Sequence, residues 1–80
     1  MKIQILGTGC PKCKKLAEMA EKVATELGVD FEIEKVTDIK EIMSFGVIGT
    51  PGLVVDGNVL LAGRVPTEAT LKELLQKAVK

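Results

Sequence analysis

Gly7-Thr8-Gly9-Cys10-Pro11-Lys12-Cys13-Lys14-Lys15 holds both cysteines of the chain, at the point where an apolar run gives way to a helical pattern. A proline suits the first helical turn, because its missing N–H would be unsatisfied there and its fixed φ already matches the helix. Pro11 therefore marks the helix start. Cys10 then falls at the helix N-terminus, with Cys13 three residues on along the same face. Side chains so spaced have Cβ atoms about 5–6 Å apart, and a small adjustment reaches the ~3.5–4.5 Å that a disulfide requires. Such a pair can open and close without refolding the chain.

Outward from this stretch, Lys2 to Leu6 is a short β-rich run that the following glycines break, which predicts a first strand feeding the cysteine loop. Pro11 to Leu27 reads as a helix. Cys13, Leu16, Ala17, Ala20, Val23, Ala24 and Leu27 form one buried stripe at three-and-four spacing, and Gly28 supplies the stop. Glu18, Lys22 and Glu26 stand four apart on the outer face, as opposite-charge pairs. Val29, Phe31 and Ile33 alternate with Asp30, Glu32 and Glu34, the pattern of a strand with one face in water, placed at a sheet edge. Asp38 with Glu41 three later starts a short helix in capping-box fashion. Its apolar side is Ile39, Ile42 and Met43, Gly46 ends it, and Met43 and Phe45 are expected in the core. Leu53-Val54-Val55 is apolar on both faces, as in a central strand. Asp56-Gly57 signals a two-residue hairpin into a strand over Asn58 to Ala62. After Pro66, Thr67 caps a last helix with the stripe Leu71, Leu74, Leu75 and Ala78. The order is β-α-β-α-β-β-α: an α/β fold with a four-stranded mixed sheet, helices on both faces, and a right-handed first β-α-β unit. One domain over residues 1–80 is expected.

Composition narrows the function. Eleven basic and eleven acidic residues cancel, so no global field draws the chain to nucleic acid or an acidic membrane. Phe31 and Phe45 are its aromatics, too few for the stacking platforms of a single-strand binder. No apolar stretch approaches membrane-spanning or secretory length. The expected location is the cytoplasm, where a C-x-x-C pair is more often catalytic or metal-binding than a structural staple.

Cys10-Pro11-Lys12-Cys13 at the start of the first helix, the seven-element order and Thr50-Pro51 ahead of the third strand together resemble the thioredoxin/glutaredoxin superfamily. Within it the chain is similar to the small glutaredoxin-like thioredoxins, or redox-active disulfide proteins. The resemblance implies the thioredoxin-like fold and a thiol–disulfide oxidoreductase serving in electron transport. Its one redox-active centre would be the Cys10–Cys13 disulfide, with no further cofactor and no metal. Cys10 corresponds to the attacking thiol and Cys13 to the resolving thiol. Pro51 corresponds to the family's cis-proline, which leaves the backbone of Thr50 to pair with a substrate peptide. Implied partners are a protein disulfide substrate and an upstream thiol or flavoprotein reductase, acting on a monomer. The chain also departs from the pattern. Gly9 stands where an aromatic usually precedes the first cysteine, strand one holds no carboxylate, and Lys12 replaces the glutaredoxin tyrosine.

The chemistry of the residues runs the same way. A thiolate attacks a disulfide, and a free cysteine has a pKa near 8.5. Cys10 gains from the positive end of the helix dipole, with Pro11 and Lys12 as tuning residues. Lys12, Lys14 and Lys15 go against a first turn's preference for acids. They either bias Cys10 toward thiolate, or attract an acidic partner, or are simply solvated beside Glu18. Val47, Ile48 and Thr50 border the expected site as an apolar rim or as ordinary loop packing. Gly63 permits close approach of substrate. The alternative is a metal-handling or redox-sensing C-x-x-C module. A structural zinc site needs four ligands, which two cysteines and no histidine supply only across a dimer. A copper-chaperone-like domain also places C-x-x-C after its first strand, but has Met where this chain has Thr8.

Overall fold

In the computed structural model, which describes residues 1–9, 11–47 and 49–79, the chain runs β1 (Lys2–Leu6), α1 (Pro11–Leu27), β2 (Glu32–Val36), α2 (Ile39–Ser44), β3 (Gly52–Val55), β4 (Asn58–Ala62) and α3 (Glu68–Val79). This is the order expected from the sequence. The sheet is ordered β2-β1-β3-β4. β1 pairs with β2 in parallel, which demands a crossover, and α1 is that crossover. β1 pairs with β3, and β3 with β4, antiparallel. The β3–β4 turn has positive φ at both Asp56 (49°) and Gly57 (84°), the geometry that matches the twist of a hairpin. Asp56 also ties the turn to β1: its Oδ1 accepts the Lys2 N–H at 2.8 Å, and its own N–H donates to the Lys2 carbonyl at 2.9 Å.

Strand alternation divides the core in two. Ile3, Ile5, Leu53, Val55 and Leu61 meet Leu16, Ala17, Ala20, Val23 and Ala24 of α1 and Leu71 and Leu75 of α3. On the opposite face Leu6, Val36 and Val54 meet Ile42 of α2, with Phe45 and Val47 packed against them. Helices thus cover both faces, unequally. β3 is buried along its whole length, as its doubly apolar sequence requires.

Three expectations need correction, and one irregularity had no counterpart in the sequence reading. β2 begins at Glu32 rather than Val29. Val29 and Phe31 still pack on the larger core, but from the approach to the strand. On α2, Ile42 alone is buried, while Ile39 is 62% and Met43 68% exposed. A six-residue helix presents little more than one residue squarely to the sheet, and Phe45 and Val47 fill the remaining space; Phe45 is half-buried. Lys22 makes its close ion pair across the helices, to Glu68 of α3 at 2.9 Å, and the expected attraction along α1 remains as a weaker one from Glu26. The hydrogen bond from Lys22 and the charge of that carboxylate hold the ammonium above the usual lysine range. Finally, β4 carries a bulge. Leu53 faces Leu61 but Val54 faces Val59, so Leu60 is the extra residue and joins Leu61 against the same core.

The helix starts were read correctly. Asp38 has extended backbone and its carboxylate accepts the Lys40 N–H, at 2.9 Å. Thr67 Oγ1 accepts the Thr70 N–H at 3.2 Å. Asp38→Ala should cost about 1 kcal/mol, read as a lower urea midpoint with unchanged slope. An unchanged midpoint would mean that α2 is held by Ile42 alone. Among the described residues, no helix is long and apolar enough to cross a membrane.

Candidate functional site

Three chain segments converge at the C-terminal end of β1. The strand hands on to Gly7, whose N–H donates to the Val36 carbonyl at 3.0 Å and prolongs the parallel pairing by one step. Gly7 is buried directly beneath the first turn of α1. A Cβ built on it would overlap Cys13 Sγ, lie 3.0 Å from Cys13 Cβ and lie 3.9 Å from Thr50 Cβ. A bare backbone is therefore what lets the Cys13 sulfur sit against the sheet. Cys13 is 5% exposed, as expected from its place at the head of the α1 stripe. Burial holds a thiol in its protonated form, and nearby cations favour the thiolate.

The Thr50–Pro51 peptide bond is cis. Pro51 is buried and Thr50 exposed. The Pro51 carbonyl accepts the Gly63 N–H at 2.8 Å, which carries the β3–β4 pairing one residue beyond Gly52 and Ala62. A Cβ on Gly49 would come 3.4 Å from the Gly63 Cα, so the two loops lie close together. Cys13, Thr50, Pro51 and Gly63 are thus gathered at one end of the sheet. Pro11 and Lys12 open α1 and are exposed. Cys10 and Ile48 lie outside the described residues.

Two concavities flank this cluster. A cavity of about 70 Å³ is lined by Cys13, Gly7, Lys14, Lys35 and Thr37, among others. Lys35 is the register partner of Ile5, and aligned residues of paired strands share a face, so Lys35 stands on the α1 side of the sheet. On the other side a groove of about 460 Å³ runs between Thr8 and Thr50 and the exposed face of α2.

A model of the thioredoxin domain matches residues 1–76. The chain belongs to the thioredoxin-domain family. It is 43% identical to a thioredoxin of Methanothermobacter thermautotrophicus over 94% of its own length and 97% of the relative's. A thioredoxin of Methanocaldococcus jannaschii is 45% identical over 92% of the chain and 85% of that protein. A probable thioredoxin of Archaeoglobus fulgidus is 37% identical over 85% and 77%. Membership of this family makes the chain a thioredoxin-like thiol–disulfide oxidoreductase.

Around Cys13, sequence reasoning missed Gly7 and Lys35. Gly7 was legible only as a strand breaker, since nothing local says that a sulfur lies above it. Lys35 enters through the register of β2 on β1, which no short-range pattern encodes.

Proposed function

We propose that the chain exchanges disulfides with protein partners through a Cys10/Cys13 couple. The Cys10 thiolate attacks one sulfur of the partner's disulfide, forming a mixed disulfide and releasing the other sulfur as a thiolate that takes up a proton. Cys13 then loses its proton, attacks Cys10 Sγ and expels the second partner sulfur. The products are a Cys10–Cys13 disulfide and a partner dithiol, two electrons having passed from protein to partner. The observation that carries this reading is the seat of Cys13: buried against Gly7, beside Thr50 and the cis Pro51, with Cys10 next to Pro11 in sequence.

Roles follow from this placement. Thr50 offers exposed backbone for an extended partner segment, Pro51 fixes that backbone, and Gly63 leaves the neighbouring loop without a side chain. Pro11 starts the helix whose N-terminal dipole favours negative charge, and Lys12 adds to it. The couple needs no further cofactor, and an upstream thiol or flavoprotein reductase would return it to the dithiol. This chemistry suits a monomer in a reducing compartment such as the cytoplasm.

Trapping tests the proposal. Cys13→Ser, mixed with a disulfide-linked peptide, should accumulate a one-to-one mixed disulfide through Cys10, seen by mass spectrometry. Wild type should turn over without accumulation, and Cys10→Ser should do neither. Absence of the Cys13→Ser adduct, together with tight Cu(I) binding by the reduced wild type, would replace the redox reading with a metal-handling one.

A further inference from the structure

In the proposed exchange Cys13 must shed its proton before it attacks, and its sulfur is buried. The cavity of about 70 Å³ that opens on it is lined by Ile5, Gly7 and Gly9, by Lys14 and Lys35, and by Thr37. Among these described residues there is no carboxylate; the charged groups are two lysines, one from each flanking element. Lys14 follows Cys13 on α1. Lys35 stands on β2 opposite Ile5, on the α1 face of the sheet. Two of the nearby acids are engaged elsewhere: Glu34 meets Lys2 and Gln4, and Asp38 caps α2. Glu18, one turn beyond Lys14, does not line the cavity. Among the described residues the ion pairs are Lys2–Glu34 and Lys22–Glu68, so no carboxylate engages Lys14 or Lys35. Beyond Pro51 and Gly63 the charged residue is Arg64, which is exposed and outside the lining.

We propose that Lys35 is a positioning residue for the second step of exchange: its charge, held by the sheet beside a buried sulfur, favours the thiolate that Cys13 must become. This role presupposes the Cys10/Cys13 reading and adds a residue to it. A cation near a thiol favours the ionised form, and the attraction is stronger where burial keeps water away. Lys35 is itself exposed, so solvent moderates the effect without abolishing it. Lys14 is the lesser contributor, because adjacent residues of a helix do not face one another. The step balances. Cys13 gives its proton to water and its thiolate attacks Cys10 Sγ. The Cys10–Cys13 bond forms as the bond from Cys10 to the partner breaks, and the partner sulfur leaves as a thiolate that is then protonated. Lys35 keeps its own proton throughout.

Dipyridyl disulfide, a small uncharged oxidant, separates the two steps in one stopped-flow trace. Mixed in equal amount with the dithiol protein, it should release one thiopyridone when Cys10 attacks and a second when Cys13 resolves the adduct. The second phase is intramolecular and so independent of concentration. In Lys35→Met the pH midpoint of its rate should move upward by about half a pH unit, and in Lys35→Arg it should stay near wild type. At about pH 7 the Lys35→Met phase should run about two- to three-fold slower. Above the midpoint it should match or exceed wild type, because the thiolate of a more basic thiol is the better nucleophile. Salt at about 0.5 M should carry the wild-type midpoint toward that of Lys35→Met, since exposed charges are then screened. A second phase slowed equally at every pH, or an unmoved midpoint, overturns the role of Lys35 and leaves the couple standing. A shift in Lys14→Met that is missing in Lys35→Met does the same. A wild-type trace that stops after one thiopyridone, with the adduct persisting, overturns the couple and Lys35 with it.

Discussion

Gly7→Ala should destabilise the fold by about 1–3 kcal/mol, the usual cost of forcing an extra carbon into a well-packed interior. For a domain of this size that lowers the melting midpoint by on the order of 10 °C. Backbone strain is not the cause, because Gly7 is not among the glycines with positive φ. The cause is steric: the new methyl would overlap Cys13 Sγ and crowd Cys13 Cβ at 3.0 Å. Neither side can retreat easily. Gly7 is held by its hydrogen bond to Val36, and Cys13 rides on a helix anchored by the buried Leu16, Ala17 and Ala20. A double-mutant cycle isolates the clash. In a Cys13→Ala background the sulfur is gone and much of the cost of Gly7→Ala should disappear, leaving the residual contact between the two Cβ atoms. Strict additivity of the two substitutions in thermal unfolding would show that the sulfur is not what the glycine accommodates. If exchange runs through the proposed Cys10/Cys13 couple, displacing Sγ should also slow the attack of Cys13 on the mixed disulfide, visible as a longer-lived adduct of the Gly7→Ala protein.

The elements most legible in the sequence were those whose boundaries are set by local chemistry. Pro11 and Gly28 bracket α1, Asp38 and Thr67 cap α2 and α3, and Asp56-Gly57 dictates the hairpin; each acts within a few residues of itself. The place of Cys13 was legible for the same reason, as the head of the buried α1 stripe. What the sequence did not disclose depends on distant partners. The apolar side of α2 reads as a buried stripe, yet a helix of six residues meets the sheet through Ile42 and leaves Ile39 and Met43 outside. Lys22 has acids four residues away on either side, yet α3 brings Glu68 within 2.9 Å. The Leu60 bulge follows from fitting two successive leucines to one core. Periodicity assigns a side chain to a face; the extent of the opposing surface decides whether that face is covered.

That distinction matters at the site itself. Cys13 is positioned by α1, Gly7 by β1, and Pro51 with Gly63 by the end of the β3–β4 pairing. Each of those strands is fixed by the larger core rather than by the loops that carry the chemistry. Cys13 lies in the first turn of α1 and Gly7, Thr50, Pro51 and Gly63 lie just outside the strands, but their separation is set by β1 and β3 lying side by side, Leu6 opposite Gly52. Stability of the central strands and geometry of the site are therefore coupled.

Leu53→Ala should expose that coupling. Leu53 is fully buried, sits between Ile5 of β1 and Leu61 of β4 in the register, and packs in the core shared with α1 and α3. Truncating a buried leucine costs about 2–5 kcal/mol, with the upper part of that range where the surroundings cannot collapse into the void. Here they cannot collapse freely, because Leu53 lies on a strand hydrogen-bonded on both sides. At roughly 0.05–0.15 kcal/mol per residue an 80-residue chain has about 4–12 kcal/mol in total, so one substitution removes a large fraction. Ile42→Ala is the useful comparison. Ile42 belongs to the smaller core and its helix is one and a half turns long, so its loss should loosen α2 locally and cost less globally. Urea unfolding should show a clearly lower midpoint for Leu53→Ala than for Ile42→Ala. Hydrogen exchange should show β3 and β1 amides deprotected together in the first variant and α2 amides alone in the second. Equal midpoints, or a cost below about 1 kcal/mol for Leu53→Ala against the ~2–5 expected of a buried leucine, would mean that the two faces of the sheet share the load. Because Leu53 follows Pro51 by two residues, the same variant should also lose its disulfide-exchange activity at a temperature below its unfolding midpoint, as the Pro51–Gly63 pairing at the frayed end of β3 opens first.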